Sequence, residues 1–88
     1  MRYYIVVYDV NEKRVKKVHD VLRQYLQWRQ RSVFEGWLGR NEVAELKRKL
    51  SRVIKEEEDS VLFYSLPDDK CFTTFHLGKP AEEFDNVI

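Results

Sequence analysis

Two stretches of the chain carry the same apolar spacing: Val15, Val18, Leu22, Tyr25 and Leu26 recur with identical offsets as Val43, Leu46, Leu50, Val53 and Ile54. Steps of three and four residues line up on one face of a helix, so the spacing predicts two amphipathic helices, each needing an apolar surface to cover. Asn11 and Asn41 stand ahead of the two sets and read as N-caps, because an Asn side chain accepts hydrogen bonds from the first unpaired amides of a helix. Runs rich in β-branched and aromatic residues surround them at 3–9, 32–38, 61–66 and 71–77, and these read as strands. Pro67, Asp68, Asp69 and Lys70 form a turn signal between the last two runs, and Gly78-Lys79-Pro80 closes the last.

These elements predict an α+β fold, a ferredoxin-like βαββαβ sandwich with two helices on one face of an antiparallel sheet. The other face is left without cover. The candidates for it include some of Tyr4, Val6, Tyr8, Phe34, Trp37 and Tyr64, more apolar area than a monomer comfortably exposes, and a second sheet is the natural partner. The expected organisation is one ferredoxin-like domain over 1–78 and a tail over 79–88. The apolar Phe84, Val87 and Ile88 of that tail suit an added edge strand on a second protomer.

A chain of 88 residues makes one small domain that gains from association. The lone Cys71 has no internal disulfide partner, no leader-like start is visible, and no apolar run reaches bilayer length, so a soluble, reducing, cytoplasmic setting without a membrane partner is expected. Net charge of +1 conceals a division. Residues 1–55 carry 14 Lys and Arg against 6 Asp and Glu, whereas residues 56–88 carry 2 against 9. The basic part suits a phosphate backbone; mutual neutralisation of the two parts is the plainer alternative.

Asp9 ends the first apolar run, where an ionised carboxylate needs a cation or hydrogen-bond donors. In one reading two Asp9 side chains meet across a dimer axis and share Mg²⁺, which favours oxygen ligands. In the other, Asp9 stabilises the start of the first helix by accepting backbone amides. Lys13, Arg14, Lys16, Lys17, Arg23, Arg29 and Arg31, opposed by Asp20 alone, form the densest positive stretch. It is either a solvated helix face or half of a twofold basic band for duplex DNA, and the latter is favoured. His19 and His76 are too scattered for a metal site, and Cys71 reads as an inert packed thiol.

Tyr8-Asp9-Val10 closing the first strand, Arg29-Gln30-Arg31-Ser32-Val33-Phe34-Glu35-Gly36 entering the next and Tyr64-Ser65-Leu66-Pro67 further on resemble the small CRISPR-associated adaptation proteins, over nearly the whole chain. The resemblance implies a homodimer with exchanged C-terminal segments that bridges two dimers of a CRISPR integrase and holds duplex DNA during spacer acquisition. It also implies a Mg²⁺-dependent endonuclease activity on RNA or DNA, with Asp9 as catalytic and metal residue. Tyr8, Ser32 and Phe34 match the family's other catalytic positions, and Arg14, Lys16, Lys17, Arg29 and Arg31 are the expected nucleic-acid contacts. Trp28 departs from the pattern, occupying a position where many relatives have Arg, which leaves Arg29 or Arg31 to substitute. Single-stranded RNA stands beside duplex DNA as an implied partner, and two alternatives stand beside this reading: a scaffold that binds nucleic acid without cutting, and a toxin-like RNA interferase of the same fold.

Overall fold

In the computed structural model the described residues are 1–68, Lys70 and Leu77. The chain runs β1 (Arg2–Asp9), α1 (Glu12–Arg23), β2 (Gln27–Gln30), β3 (Val33–Leu38), α2 (Arg40–Val53) and β4 (Ser60–Leu66). The βαββαβ order is the expected one, but the runs read as strands would put one strand between the helices and two after the second, whereas the structure places β2 and β3 between the helices and β4 after α2. The second strand is the short run Gln27–Gln30, which the helix-type spacing through Tyr25 and Leu26 conceals. The expected strand at 71–77, Cys71, His76 and the tail at 79–88 lie outside the described residues, Leu77 excepted.

The sheet order is β2-β3-β1-β4, with every neighbouring pair antiparallel. Both helices cover one face. Val6 and Tyr8 of β1, Phe34 and Leu38 of β3, Val18 and Leu22 of α1, and Val43, Leu46 and Leu50 of α2 form one buried cluster. Fully burying a side chain of this type contributes roughly 1.5–3 kcal/mol, so the repeated helix spacing and the alternating strands secure one core.

α1 begins as expected: the Asn11 side chain accepts the Lys13 amide at 3.0 Å. It stops at Arg23, and the amides of Gln24, Tyr25 and Leu26 turn back onto the Val21 and Leu22 carbonyls. Tyr25 and Leu26 thus pack on the core from a turn. α2 starts earlier than its Asn suggests, with extended Gly39 at the cap and Asn41 already inside the helix. Glu42 makes the difference: its carboxylate accepts the Gly39 amide at 2.8 Å, half of a capping box.

Strand alternation also corrects the expected open face. Tyr4, Val6, Tyr8 and Phe34 belong to the helix side and its core. The uncovered side instead carries Tyr3, Ile5 and Val7 of β1, Trp37 of β3, and Leu62 and Tyr64 of β4, by the period of two along each strand. Trp37, Leu62 and Tyr64 are 41%, 50% and 51% exposed, and the Tyr3 and Trp37 rings meet edge to face at 5.3 Å.

Candidate functional site

Asp9 is the last residue of β1, exposed and on the uncovered side, two and four positions beyond Val7 and Ile5. Its cross-strand partner is Ser60, the first residue of β4. On the other flank the turn through Arg31 and Ser32 runs alongside β1, with the Tyr8 amide donating to the Ser32 carbonyl at 3.0 Å. Two residues on, the Asn11 amide donates to Asp59 Oδ1 at 2.9 Å. The carboxylate that accepts the amide at the helix start is therefore that of Asp59, in place of the Asp9 carboxylate that the helix-start reading expects there.

The other expected catalytic residues do not gather around it. Tyr8 is 5% exposed on the helix side, its ring 6.3 Å from that of Phe34, and burial pushes its hydroxyl pKa up. Phe34 is fully buried. Ser32 is half-buried in the turn. Successive strand residues point to opposite faces, so the Tyr8-Asp9 pair is divided between core and surface, and Phe34 lies with Tyr8 on the core side.

Arg14 is likewise engaged within the chain. Its Nε lies 2.5 Å from Asp59 Oδ2, and its Nη2 is 3.0 Å from both Asp59 Oδ1 and Glu58 Oε1. The Asp59 side chain is wholly buried and that of Arg14 is 13% exposed. The Arg14 hydrogen bond, together with the Lys55 and Asn11 amides, holds the Asp59 carboxyl far below the usual carboxylate range against the opposing effect of burial, and the same bond raises the guanidinium pKa. Arg14, one of the expected nucleic-acid contacts, is thus half of an internal ion pair. Sequence reasoning missed Asp59; its one signal was a short side chain ending the acidic run 56–59 directly before a strand.

Among the remaining expected contacts, Lys16 and Lys17 are exposed on α1. Lys16 pairs loosely with Asp20 at 3.3 Å. Arg29 projects from β2 and pairs with Glu35 at 3.0 Å, while Arg31 occupies the turn with a backbone φ of 39°. The Trp28 indole N–H donates to the Arg31 carbonyl at 2.8 Å, and its ring meets His19 edge to face at 5.0 Å. Trp28 is therefore a packing residue that braces the turn. A second set of cations lies outside the expected stretch: Arg40, Lys47, Arg48 and Arg52 are exposed on α2, whose acids are occupied, Glu42 by the cap and Glu45 by Tyr25 and Lys49.

The fit to a divalent metal is decided by ligand supply. Among the described residues no three His, Cys, Asp or Glu side chains cluster, and at this strand end one chain offers the exposed carboxylate of Asp9. Mg²⁺ takes about six oxygens. The donor chemistry suits a hard cation only where a second Asp9 joins the first.

A four-stranded antiparallel sheet covered on one side by two helices, with an acidic strand end on its bare side, defines a ferredoxin-like α+β domain. The sequence matches the family described as CRISPR associated protein Cas2 over residues 1–74. The CRISPR-associated endoribonuclease Cas2 of Thermotoga maritima is 50% identical over 86% of this chain and 87% of its own. Its counterpart from Methanosarcina acetivorans is 42% identical over 98% and 99%. A crystal structure of Cas2 superposes with a TM-score of 0.83 at 48% identity, covering 90% of this chain and 88% of the other, and Streptococcus pyogenes Cas2 at pH 6.5 gives 0.66 at 28% identity, over 98% and 94%. The chain belongs to the CRISPR-associated Cas2 family. None of its described helices is long and apolar enough to cross a membrane.

Proposed function

We propose that this protein acts as a homodimer that holds duplex DNA and bridges CRISPR integrase dimers during spacer acquisition, and that the paired Asp9 carboxylates support a Mg²⁺-dependent endonuclease activity. The observation that carries the reading is the bare sheet face: Trp37, Leu62 and Tyr64 lie substantially exposed on the side where β1 ends in Asp9. Packing two such faces together covers apolar surface and brings two copies of that strand end toward one axis. The exposed Lys16 and Lys17, with Arg29 and Arg31 nearer the sheet, supply cations whose contacts with phosphates are independent of sequence. The curated relatives' names, which specify an endoribonuclease, support an RNA-cleaving role.

In this reading the paired Asp9 carboxylates would hold Mg²⁺, which would supply Lewis-acid polarisation of a phosphate oxygen and a bound water of lowered pKa. The chain's own part is to supply charged carboxylates at a fixed point, to carry backbone phosphates on basic side chains, and to keep Tyr8 as a neutral packing group.

Reconstituted spacer integration tests the proposal. Wild-type protein should sediment as a dimer and stimulate integration by a partner integrase, and Mg²⁺ should support cleavage of RNA or DNA by preparations free of contaminating nuclease. A monodisperse monomer at micromolar concentration rejects the assembly. Dimers that support integration without cleavage reject the nuclease part alone.

A further inference from the structure

We infer that Asp59 is a positioning residue for Asp9, its buried carboxylate fixing the turn by which β1 hands the chain to α1. The inference deepens the proposed role of Asp9 and rests on that reading. Its basis is the way Asp59 brackets the strand end. Its own neighbour Ser60 is the cross-strand partner of Asp9, while its side chain reaches past to take the Asn11 amide at 2.9 Å. Asp9 is consequently held from β4 on one side and, through Asn11, from the same short segment on the other.

The grip is complete in hydrogen-bonding terms. Asp59 accepts the Asn11 amide, the Lys55 amide at 2.8 Å, and Arg14 through Nε at 2.5 Å and Nη2 at 3.0 Å, which fills the capacity of an ionised carboxylate. A wholly buried carboxylate is tolerated only when so supplied, and breaking it leaves an uncompensated charge. The anchored groups come from two places, the first turn of α1 with its cap Asn11 and Arg14, and the loop after α2.

Arg14 has a second effect. Its guanidinium balances the Asp59 charge locally, so the carboxylate that fixes the turn is a paired and not a bare buried anion. A reactive carboxylate that must meet its twin across an axis has little tolerance for displacement, and a shift of about 1 Å can cost roughly 100-fold in rate.

The experiment compares Asp59→Asn, Arg14→Lys and Asp9→Asn in the full-length protein. Backbone amide resonances of Asp9 to Asn11 and the Asp9 carboxyl ¹³C resonance report geometry, duplex affinity reports binding, and kcat and KM for Mg²⁺-dependent cleavage report chemistry. Asp59→Asn should move the Asp9 and Asn11 resonances and lower kcat by up to about 100-fold with KM and duplex affinity unchanged; Arg14→Lys, which keeps the cation, should give a smaller displacement and a smaller loss. A folded Asp59→Asn with wild-type Asp9 resonances overturns the inference, and if that variant does not fold, unchanged resonances in Arg14→Lys do so. Wild-type cleavage by Asp9→Asn overturns the reactive role of Asp9 itself, an outcome read independently of where Asp59 places it.

Discussion

Tyr8 and Asp9 are adjacent in the chain and face opposite sides of the sheet, the ring sealed against Phe34 beneath the helices and the carboxylate exposed at the strand end. One residue secures the core and the next meets solvent. Substitutions at the two positions should therefore fail in different assays.

At Asp9 the expected loss is chemical. Asp9→Asn preserves size and removes charge, so Mg²⁺-dependent cleavage should disappear while dimerisation and duplex affinity persist. Cleavage measured against Mg²⁺ concentration, with sedimentation and DNA titration in parallel, checks this; equal cutting by both proteins rejects a catalytic Asp9.

At Phe34 the expected loss is structural. Truncating this fully buried ring to Ala should cost about 3–5 kcal/mol, and the change to Leu distinctly less. Urea denaturation gives the stability, and cleavage by the folded Leu variant should match wild type. Direct involvement of the ring in catalysis would instead abolish activity in a stable protein.

The bare face should respond to charge. Replacing both Leu62 and Tyr64 with Lys puts two cations into the surface proposed to pair, and a dimer held by that face should weaken by well over about 10-fold, or 1.4 kcal/mol. Sedimentation equilibrium at several concentrations reads the shift. An unchanged dimer moves the interface elsewhere.

The cations separate into two classes. Lys16→Ala with Lys17→Ala should leave stability nearly intact and reduce the salt dependence of duplex affinity by about 0.9 in slope for each phosphate left unneutralised. Arg14→Met should instead destabilise the fold, since it strips the buried Asp59 carboxylate of its guanidinium. Combined thermal melts and DNA titrations at several salt concentrations discriminate the two.

His19 governs an acid-side loss of stability. It is 5% exposed, its Nδ1 lacks a hydrogen-bond partner among the described residues, and the Trp28 and Phe34 rings each lie 5.0 Å away. Burial lowers its pKa first, with Arg23 and Lys16 adding to the effect and Asp20 opposing it. The unfolded chain, with an imidazole near pKa 6.5, then binds the proton more readily, so stability is full above that pH and falls below it by up to about 1.4 kcal/mol per pH unit until the folded pKa is reached. Denaturation midpoints between pH 5 and 8 should show this slope in wild type and not in His19→Phe.

Periodicity reveals the parts of the fold that depend on it. The repeated helix spacing identifies Val18, Leu22, Val43, Leu46 and Leu50, which are all buried, and Tyr8-Asp9-Val10 marks the end of β1. Period-two alternation divides β1 into two sets but does not say which set faces the helices, because Tyr4, Val6 and Tyr8 are no more apolar than Tyr3, Ile5 and Val7. The four-residue β2 is too short to register against a helix spacing that continues through Leu26. Asp59 is illegible for a different reason: its role arises from contacts with Asn11 and Arg14, both more than forty positions away along the chain, and local pattern records nothing of such a meeting.

The turn at Arg31 sets folding and charge against each other. Its backbone φ of 39° lies in the left-handed region, where a residue with a Cβ is disfavoured by roughly 1–2 kcal/mol and glycine is at ease. A designer seeking a hardier protein would choose glycine there, and in doing so would delete a cation beside the strand end. The sturdiest version of this domain and the most positively charged one are thus different sequences, and this chain lies toward the second.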